Sequence, residues 1–394
     1  MQLPDYRDTS IINLMSSIAK AYKRKTPYKA LPQSYLKTLS HSKNIVLVVI
    51  DGLGYEYLKQ YGKGSIFAAH LKGKLTCGFP STTAASITSF HTGLAVQQHA
   101  ITGWYVHLKE LGAVTAILPF MPRFAKIPLE SAGIRPEKIL DQKPLHDRFK
   151  ADTYVLLGNE IINSGYTKVL SGKAKRVGYK NLADFFGKLR NIVQKKSKKR
   201  KKFVYAYWPE FDSLCHSYGT TSKKVLAHFR QLDRRMKRFL KTIEGTDTTI
   251  IITADHGLID VPSKKRIILH KHPKLEECLT LPLCGESRAA YCYVHPSKTK
   301  QFTQYVKQHF KRQCEVYKSE TLVKKGYFGL GKPHPKLSDR IGDYVLVMKE
   351  NYAIKDFLVH QKQTFYKAVH GGLSDEEMLV PLIVIECNTY SQIS

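Results

Sequence analysis

The sequence predicts an α/β fold with a central, mostly parallel sheet, helices on both faces and an inserted accessory subdomain. Three observations predict it. Ile45 to Ile50 is a run of consecutive aliphatics closed by Asp51 and Gly52, the pattern of a strand buried on both faces. Thr248 to Ala254 repeats that pattern and ends in Asp255-His256-Gly257. Between them lie a third apolar run, Phe203 to Trp208, and a helical face formed by Val225, Leu226, Phe229, Leu232, Met236, Phe239, Leu240 and Ile243. The order strand, helix, strand calls for a doubly wound sheet.

Along the chain, residues 1–40 read as a helical lead-in, with Ile11, Ile12, Leu14, Met15 and Ile18 on one face before Pro27 and Pro32 interrupt it. This segment is expected to pack on the outside. Residues 41–264 hold the three buried strands and form the core. From 265 to 360 short β-rich pieces such as Ala289 to Val294 and Tyr344 to Met348, with many prolines, suit an accessory or cap subdomain. Residues 361–394 return to the core, with Met378 to Ile385 as a strand rejoining the sheet.

With 394 residues, 43% of them hydrophobic, the chain buries a sizeable core, which excludes disordered and fibrous classes. Sixty-three Lys and Arg against thirty-two Asp and Glu leave a formal charge of +31, so the surface favours phosphates, nucleic acids or acidic lipid faces. Lys188 to Lys202 holds nine basic residues and no acid. Read as a solvated loop, its Lys195 to Lys202 end supports weak, non-specific nucleic-acid binding, and it lacks the interleaved aromatics that base stacking uses. No aliphatic run approaches the ~20 residues that span a bilayer. Asp5 and Asp8 stand where a secretory signal would be uninterrupted and apolar, so a cytoplasmic location is expected. Cys77, Cys215, Cys278, Cys284, Cys292, Cys314 and Cys387 follow no zinc-finger or redox spacing and are expected to be reduced and mostly buried.

Open α/β sheets bind ligands at the carboxyl ends of their strands, where Asp51 and Asp255 stand. An Asp-Gly after a strand is by itself an ordinary turn, but adjacent carboxylate and imidazole groups in Asp255-His256 suit a divalent metal. After the third strand, Asp212 and His216 are four residues apart, one helical turn. Near the C-terminus His370 precedes two glycines in a loop leading to the returning strand. Gly78 to Leu94 sets small hydroxyl residues after Pro80 and leads into a helix, whose N-terminus suits an anion. Ser81 or Thr82 would also serve there as a helix cap.

Taken in order, Val-Ile-Asp51-Gly, Phe-Pro-Ser-Thr-Thr83 followed by Thr92-Gly93-Leu94, Asp212-x3-His216, Ala-Asp255-His256-Gly and His370-Gly-Gly resemble the type I phosphodiesterase/nucleotide pyrophosphatase family of the alkaline phosphatase superfamily. The resemblance spans about residues 44–385. It implies an alkaline-phosphatase-like three-layer sandwich and two divalent cations, zinc first and manganese as the substitute. Asp51, Thr83, Asp255 and His256 would surround one cation, and Asp212, His216 and His370 the other. Thr83 would be the nucleophile, because it lies nine residues before Thr92, the spacing the family keeps. A threonine hydroxyl needs a base or a metal to expose its alkoxide, and no histidine adjoins Thr83 in sequence. Three aspartates and one alkoxide against two divalent cations leave a near-neutral site that an anion can enter.

One position departs from the family pattern. Ser86 stands where an asparagine three residues after the nucleophile is expected, so its hydroxyl becomes the candidate donor to a phosphoryl oxygen. Arg288 reads better as a structural salt bridge than as a phosphate ligand, and Asp339-Arg340 as a structural pair. His91 and His99 suit packing or hydrogen bonding behind the site, and Trp104 and Tyr105 suit the core. The expected activity is hydrolysis of a phosphodiester or nucleotide pyrophosphate through a phosphothreonine on Thr83, its partner an anionic phosphoester with a nucleotide among the candidates. A phosphomonoesterase or another phosphotransfer enzyme is the alternative within the superfamily, and a catalytically inactive, basic nucleic-acid-binding protein the alternative of another class.

Overall fold

The computed structural model describes residues 1–36, 39–125, 127–197, 201–359 and 361–387. In chain order the first nine strands are β1 (Asn44–Ile50), β2 (Leu71–Thr76), β3 (Tyr105–Leu108), β4 (Ala113–Ala116), β5 (Met121–Pro122), β6 (Asp152–Gly158), β7 (Lys175–Tyr179), β8 (Lys202–Trp208) and β9 (Thr248–Thr253). The central sheet runs β2, the C-terminal strand Leu379–Cys387, β9, β1, β8, β6, β7. β9, β1, β8, β6 and β7 pair in parallel, and Leu379–Cys387 is antiparallel to both its neighbours. Every residue of β1, β8 and β9 is buried, because helices cover both faces. Register then sets the site: Ile50 lies opposite Trp208 and Val49 opposite Thr253, so the chain leaves all three strands at one edge.

A second sheet is antiparallel throughout, in the order Cys314–Lys318, Tyr344–Met348, Ala289–Cys292, Cys284–Glu286, β3, β4, β5. It draws strands from 105–122 as well as 284–348, a wider source than the single 265–360 segment expected. Two short ladders stand beside it. Ile259–Asp260 pairs with Ala368–Val369, and Arg266–Ile268 runs parallel to Ala353–Lys355.

The lead-in corrects the sequence reading. Helix Ile11–Ala21 does not lie on the outside, for ten of its residues are buried, Asn13, Ser16 and Ser17 among them. The chain that follows folds back over its polar side. Asn13 donates to the Lys29 carbonyl at 2.9 Å, Ser17 Oγ accepts the Leu31 N–H at 2.8 Å, and Thr26 Oγ1 donates to Ser16 Oγ at 2.6 Å. With those groups satisfied, burial costs little.

Of the basic run Lys195 to Lys202, residues 198–200 lie outside the described residues. Lys195 and Lys196 are exposed. Lys202 is not available to a polyanion: it is buried at the start of β8, and its ammonium donates to the carbonyls of Ile192 (2.9 Å), Val193 and Lys195. All seven cysteines are unpaired and buried. Among the described residues no helix is long and apolar enough to cross a membrane.

Candidate active site

Asp51 follows β1 directly, and Asp255 and His256 follow β9 after a single residue. Asp212 and His216 sit one turn apart on helix Glu210–Tyr218, which begins just after β8. Thr83 is the first residue of helix Thr83–Thr92, and His370 follows the short strand Ala368–Val369. Gly52 makes the convergence possible. Its φ is +74°, and a side chain there would press against Asp212 Cβ at 3.1 Å and Leu258 at 2.5 Å.

The fold brings these residues together. Asp212, His216 and His370 place ligand-type atoms within 4.8 Å of one another, as do Asp51, Asp212 and His256, so Asp212 belongs to both groups. His256 Nε2 lies 3.0 Å from Thr83 Oγ1, 3.5 Å from Asp51 Oδ1 and 3.6 Å from Asp255 Oδ2, and His216 Nε2 lies 3.2 Å from Asp212 Oδ2. The rings of His256 and His370 stack at 3.8 Å.

All three imidazoles are oriented alike. Nδ1 of His216 faces the Ala368 carbonyl at 2.7 Å, Nδ1 of His256 the Gly257 carbonyl at 3.0 Å, and Nδ1 of His370 the Ser81 carbonyl at 3.0 Å. A carbonyl only accepts, so Nδ1 carries the hydrogen and each Nε2 of the neutral ring keeps its lone pair. This is the arrangement in which histidines bind metals. The aspartates complete the argument. Asp51 Oδ1, Asp212 Oδ1 and Asp255 Oδ2 are buried with no hydrogen-bond partner among the described residues. Such oxygens carry a desolvation cost that a cation removes, so the donor set fits divalent metals.

Electrostatics agree. Without a cation, burial first and then the charges of Asp255 and Asp212 hold the Asp51 carboxyl well above its ordinary range. Burial works most strongly against the Asp212 carboxylate, but His216, His370 and His256 together outweigh it and draw that carboxyl down to about 2. Burial, with His256 next, pushes His370 well below the usual imidazole range.

Ser86 lies further along the Thr83 helix, fully buried, its hydroxyl without a hydrogen-bond partner among the described residues. Capping by the side chain of Ser81 or Thr82 is absent. Ser81 Oγ donates to the Gly372 carbonyl at 2.8 Å, and Thr82 Oγ1 donates to Glu286 Oε1 at 2.5 Å. Trp104 and Tyr105 both line the cavity, Trp104 37% exposed and Tyr105 packed against the core as well. Asp339 and Arg340 do not pair with each other. Asp339 meets Lys109 and Arg340 meets Glu110. Arg288 is structural: buried, it pairs with Glu377 at 2.7 Å. His91 packs on Tyr205, and His99 bonds Ser89 at 3.1 Å.

Two residues were invisible to motif reading. Tyr207, near the end of β8, donates its hydroxyl to Asp51 Oδ2. Glu286, on the second sheet, accepts from Thr82 and from the Trp104 N–H at 2.7 Å. Burial pushes its carboxyl up to about 7. It reaches the cavity because Gly371, at φ +113°, has no side chain to meet Glu286 Cβ, which lies 2.4 Å from where a Cβ would stand. The cavity has a volume of about 460 Å³ and is lined by Thr83, Asp51, Asp212, His216, His370 and Glu286 among others.

Comparison with known proteins agrees with this architecture. Murine ectonucleotide pyrophosphatase/phosphodiesterase 5 superposes with a TM-score of 0.65 at 18% identity, covering 86% of this chain and 87% of its own. An inactive variant of it, in complex with AMP, gives the same values. Phosphonoacetate hydrolase from Sinorhizobium meliloti superposes with a TM-score of 0.60 at 18% identity, covering 90% of this chain and 92% of its own. These likenesses establish the alkaline-phosphatase-like fold. Among curated protein sequences no match is found. The family model of type I phosphodiesterase/nucleotide pyrophosphatase matches residues 45–373, a stretch that contains the whole second sheet and every side chain of the cluster, and the chain belongs to that family of phosphoric ester hydrolases.

Proposed function

We propose that the protein cleaves a phosphodiester or a nucleotide pyrophosphate through a phosphothreonine on Thr83, at a site for two divalent cations. The observation that carries this reading is the set of three unpartnered, buried carboxylate oxygens on Asp51, Asp212 and Asp255 beside three inward-facing Nε2 atoms and one threonine hydroxyl. Asp51, Thr83, Asp255 and His256 would hold one cation and Asp212, His216 and His370 the other, with Asp212 within reach of both groups. Aspartate and histidine ligands suit zinc, and manganese accepts the same atoms. When bound, the pair would supply Lewis-acid stabilisation of the attacking and leaving oxygens.

The chain's own residues do the rest. The start of helix Thr83–Thr92 offers backbone N–H groups without intrahelical partners to phosphoryl oxygens. Thr83 Oγ1, held toward His256, forms a bond to phosphorus as the bond to the leaving oxygen breaks. Water then cleaves the phosphothreonine, releasing a phosphomonoester, a nucleoside monophosphate where the substrate is a nucleotide, and restoring the hydroxyl. The neighbour's AMP complex supports a nucleotide as substrate, and Trp104, Tyr105 and Tyr366 give the cavity aromatic walls. A phosphomonoesterase is the second reading, favoured by Ser86 standing where the family pattern has an asparagine, because its hydroxyl has the shorter reach. Seven unpaired cysteines support a reducing, cytoplasmic setting. Exposed Lys195 and Lys196 support weak, salt-sensitive contact with nucleic acid.

The test compares 4-nitrophenyl phosphodiester and monoester substrates on native, chelated and zinc-reloaded protein and on Thr83→Ala. Diester cleavage is expected to exceed monoester cleavage, to vanish on chelation and return with zinc, and to fall at least ~10³-fold in Thr83→Ala. Failure of zinc-loaded protein to cleave either ester, with tight oligonucleotide binding, would establish the inactive binding protein instead.

A further inference from the structure

The cavity is larger than a single phosphoryl group requires, since pockets of ~300 to 1,000 Å³ hold drug-sized ligands, and its lining carries charge beyond the candidate metal ligands. Three cationic side chains line it: Arg123, Arg266 and Lys355. Arg123 is already neutralised. Its guanidinium grips Asp356 at 2.6 and 3.2 Å, both residues being buried, and it lies 4.4 Å over the Tyr105 ring.

Arg266 and Lys355 are different. Neither has an acidic partner within ion-pair distance among the described residues. Lys355 Nζ donates once, to the Thr364 carbonyl at 3.0 Å, leaving two hydrogens free. Arg266 donates through Nε and one terminal nitrogen to the carbonyls of Val261 and Tyr366, and among the described residues its other terminal nitrogen makes no bond. The two come from one parallel ladder, in which Arg266 pairs with Ala353 and Ile268 with Lys355. Side chains two residues apart on a strand share a face, so both cations project from the same side, about 7 Å apart along the strand direction. Each rests against a ring, Arg266 over Phe365 at 5.3 Å and Lys355 over Tyr366 at 5.4 Å, and the Tyr366 ring packs on His216 at 4.4 Å. The acids of the lining beyond the candidate metal ligands are committed: Asp356 to Arg123, and Glu286 to Thr82 and Trp104.

Resting on the proposed hydrolase reading, the geometry points to Arg266 and Lys355 as a recognition site for a second anionic group of the substrate, a carboxylate or phosphate on the portion remote from the scissile bond. The preferred substrates are then phosphoesters with a charged far end, and those with a neutral tail are poor ones. Arg266 and Lys355 act on binding and specificity, and take no part in bond making.

The experiment uses two phosphodiesters that differ only at the far end, phenyl 3-carboxypropyl phosphate and its carboxamide. Calorimetry on zinc-loaded Thr83→Ala is expected to show the carboxylate bound at least ~10-fold more tightly, with the preference shrinking as salt rises. Added to Thr83→Ala, Lys355→Gln or Arg266→Gln is expected to reduce the preference below ~3-fold, and Lys355→Arg or Arg266→Lys to restore most of it, which separates charge from a merely structural hold on residues 364–366. Equal binding of the two esters by Thr83→Ala overturns the inference, as does a preference that survives both Gln substitutions. With the matching 4-nitrophenyl esters and unsubstituted protein, turnover without preference refutes only the anion site. A binding preference without turnover supports that site and refutes the hydrolase reading.

Discussion

At the level of single residues, Tyr207 and Glu286 carry the most testable consequences. Tyr207 donates to Asp51 Oδ2 and so fixes a carboxylate whose other oxygen has no partner. Partners of this kind are worth ~10- to 100-fold in metal affinity, so Tyr207→Phe is expected to weaken zinc binding by that factor in a chelator competition; unchanged affinity would remove Asp51 from the metal set. Glu286 yields a pH prediction. Its folded carboxyl is raised from 4.5 to about 7, so in metal-free protein its contribution is complete below the unfolded value and is lost as pH rises through about 7. That difference corresponds to about 3 kcal/mol. Urea unfolding of wild type and Glu286→Gln, which cannot titrate, should diverge by this amount between acid and alkaline buffer, and a pH-independent gap would assign the ionisation to another group. Both residues escaped the sequence for one physical reason. Motifs record neighbours along the chain, whereas Tyr207 meets Asp51 across 156 residues and Glu286 meets Thr82 across 204. Asp51, Asp255 and His256 were legible because they terminate uninterrupted aliphatic strands, and Asp212 and His216 because a helical turn aligns them.

At the level of elements, the parallel strands announced themselves and the antiparallel ones did not. β1, β8 and β9 are covered on both faces and must be apolar throughout. β3, β4 and β5 are two to four residues long, some of them half-buried, so neither length nor alternation marks them. Helix Ile11–Ala21 is buried, not external, because a later segment supplies the hydrogen bonds of its serines and asparagine, a contact that one apolar face in the sequence does not reveal. The second sheet is tied to the helix before the C-terminal strand by Arg288, which the sequence alone reads as half of a structural salt bridge without naming its partner. Arg288, between two strands of the second sheet, donates to Glu377 and to the carbonyls of Tyr352 and Glu350. Glu377 also accepts the Gly372 N–H at 2.8 Å, two residues from His370. Removing one member of a buried pair costs roughly 3–5 kcal/mol because the other charge is stranded. Arg288→Met is therefore expected to lower unfolding free energy by that amount in a denaturant titration, and Arg288→Met with Glu377→Leu to lower it less. Strict additivity of the two losses would show that the residues do not act as a pair.

For the whole molecule, the question is where a formal charge of +31 goes when the cluster of candidate metal ligands has three aspartates among them. Helix Lys223–Thr242 answers part of it. Its inner face is Val225, Phe229, Leu232, Met236 and Phe239, and its remaining surface carries Lys223, Lys224, Arg230, Arg234, Arg235, Lys237, Arg238 and Lys241. Only Lys237 of these meets an acid within the helix, Asp233 at 2.9 Å. The fold thus separates a compact acidic cluster, which cations would neutralise, from a basic exterior whose field extends into solvent. Such a field raises the local concentration of an anionic substrate without touching the reacting atoms, and salt screens it with a Debye length of ~10 Å at 0.1 M. Raising sodium chloride from about 20 to 300 mM is therefore expected to increase KM for a phosphodiester several-fold and leave kcat within about twofold, more so for a dianionic substrate than for a monoanionic one. Replacing Arg234, Arg238 and Lys241 together with Gln should flatten that salt dependence and keep kcat, because these side chains project from the surface of a helix whose packed face is untouched. A salt effect on kcat of the same size would instead locate the sensitivity in the chemical step, and the basic exterior would then be a matter of solubility alone.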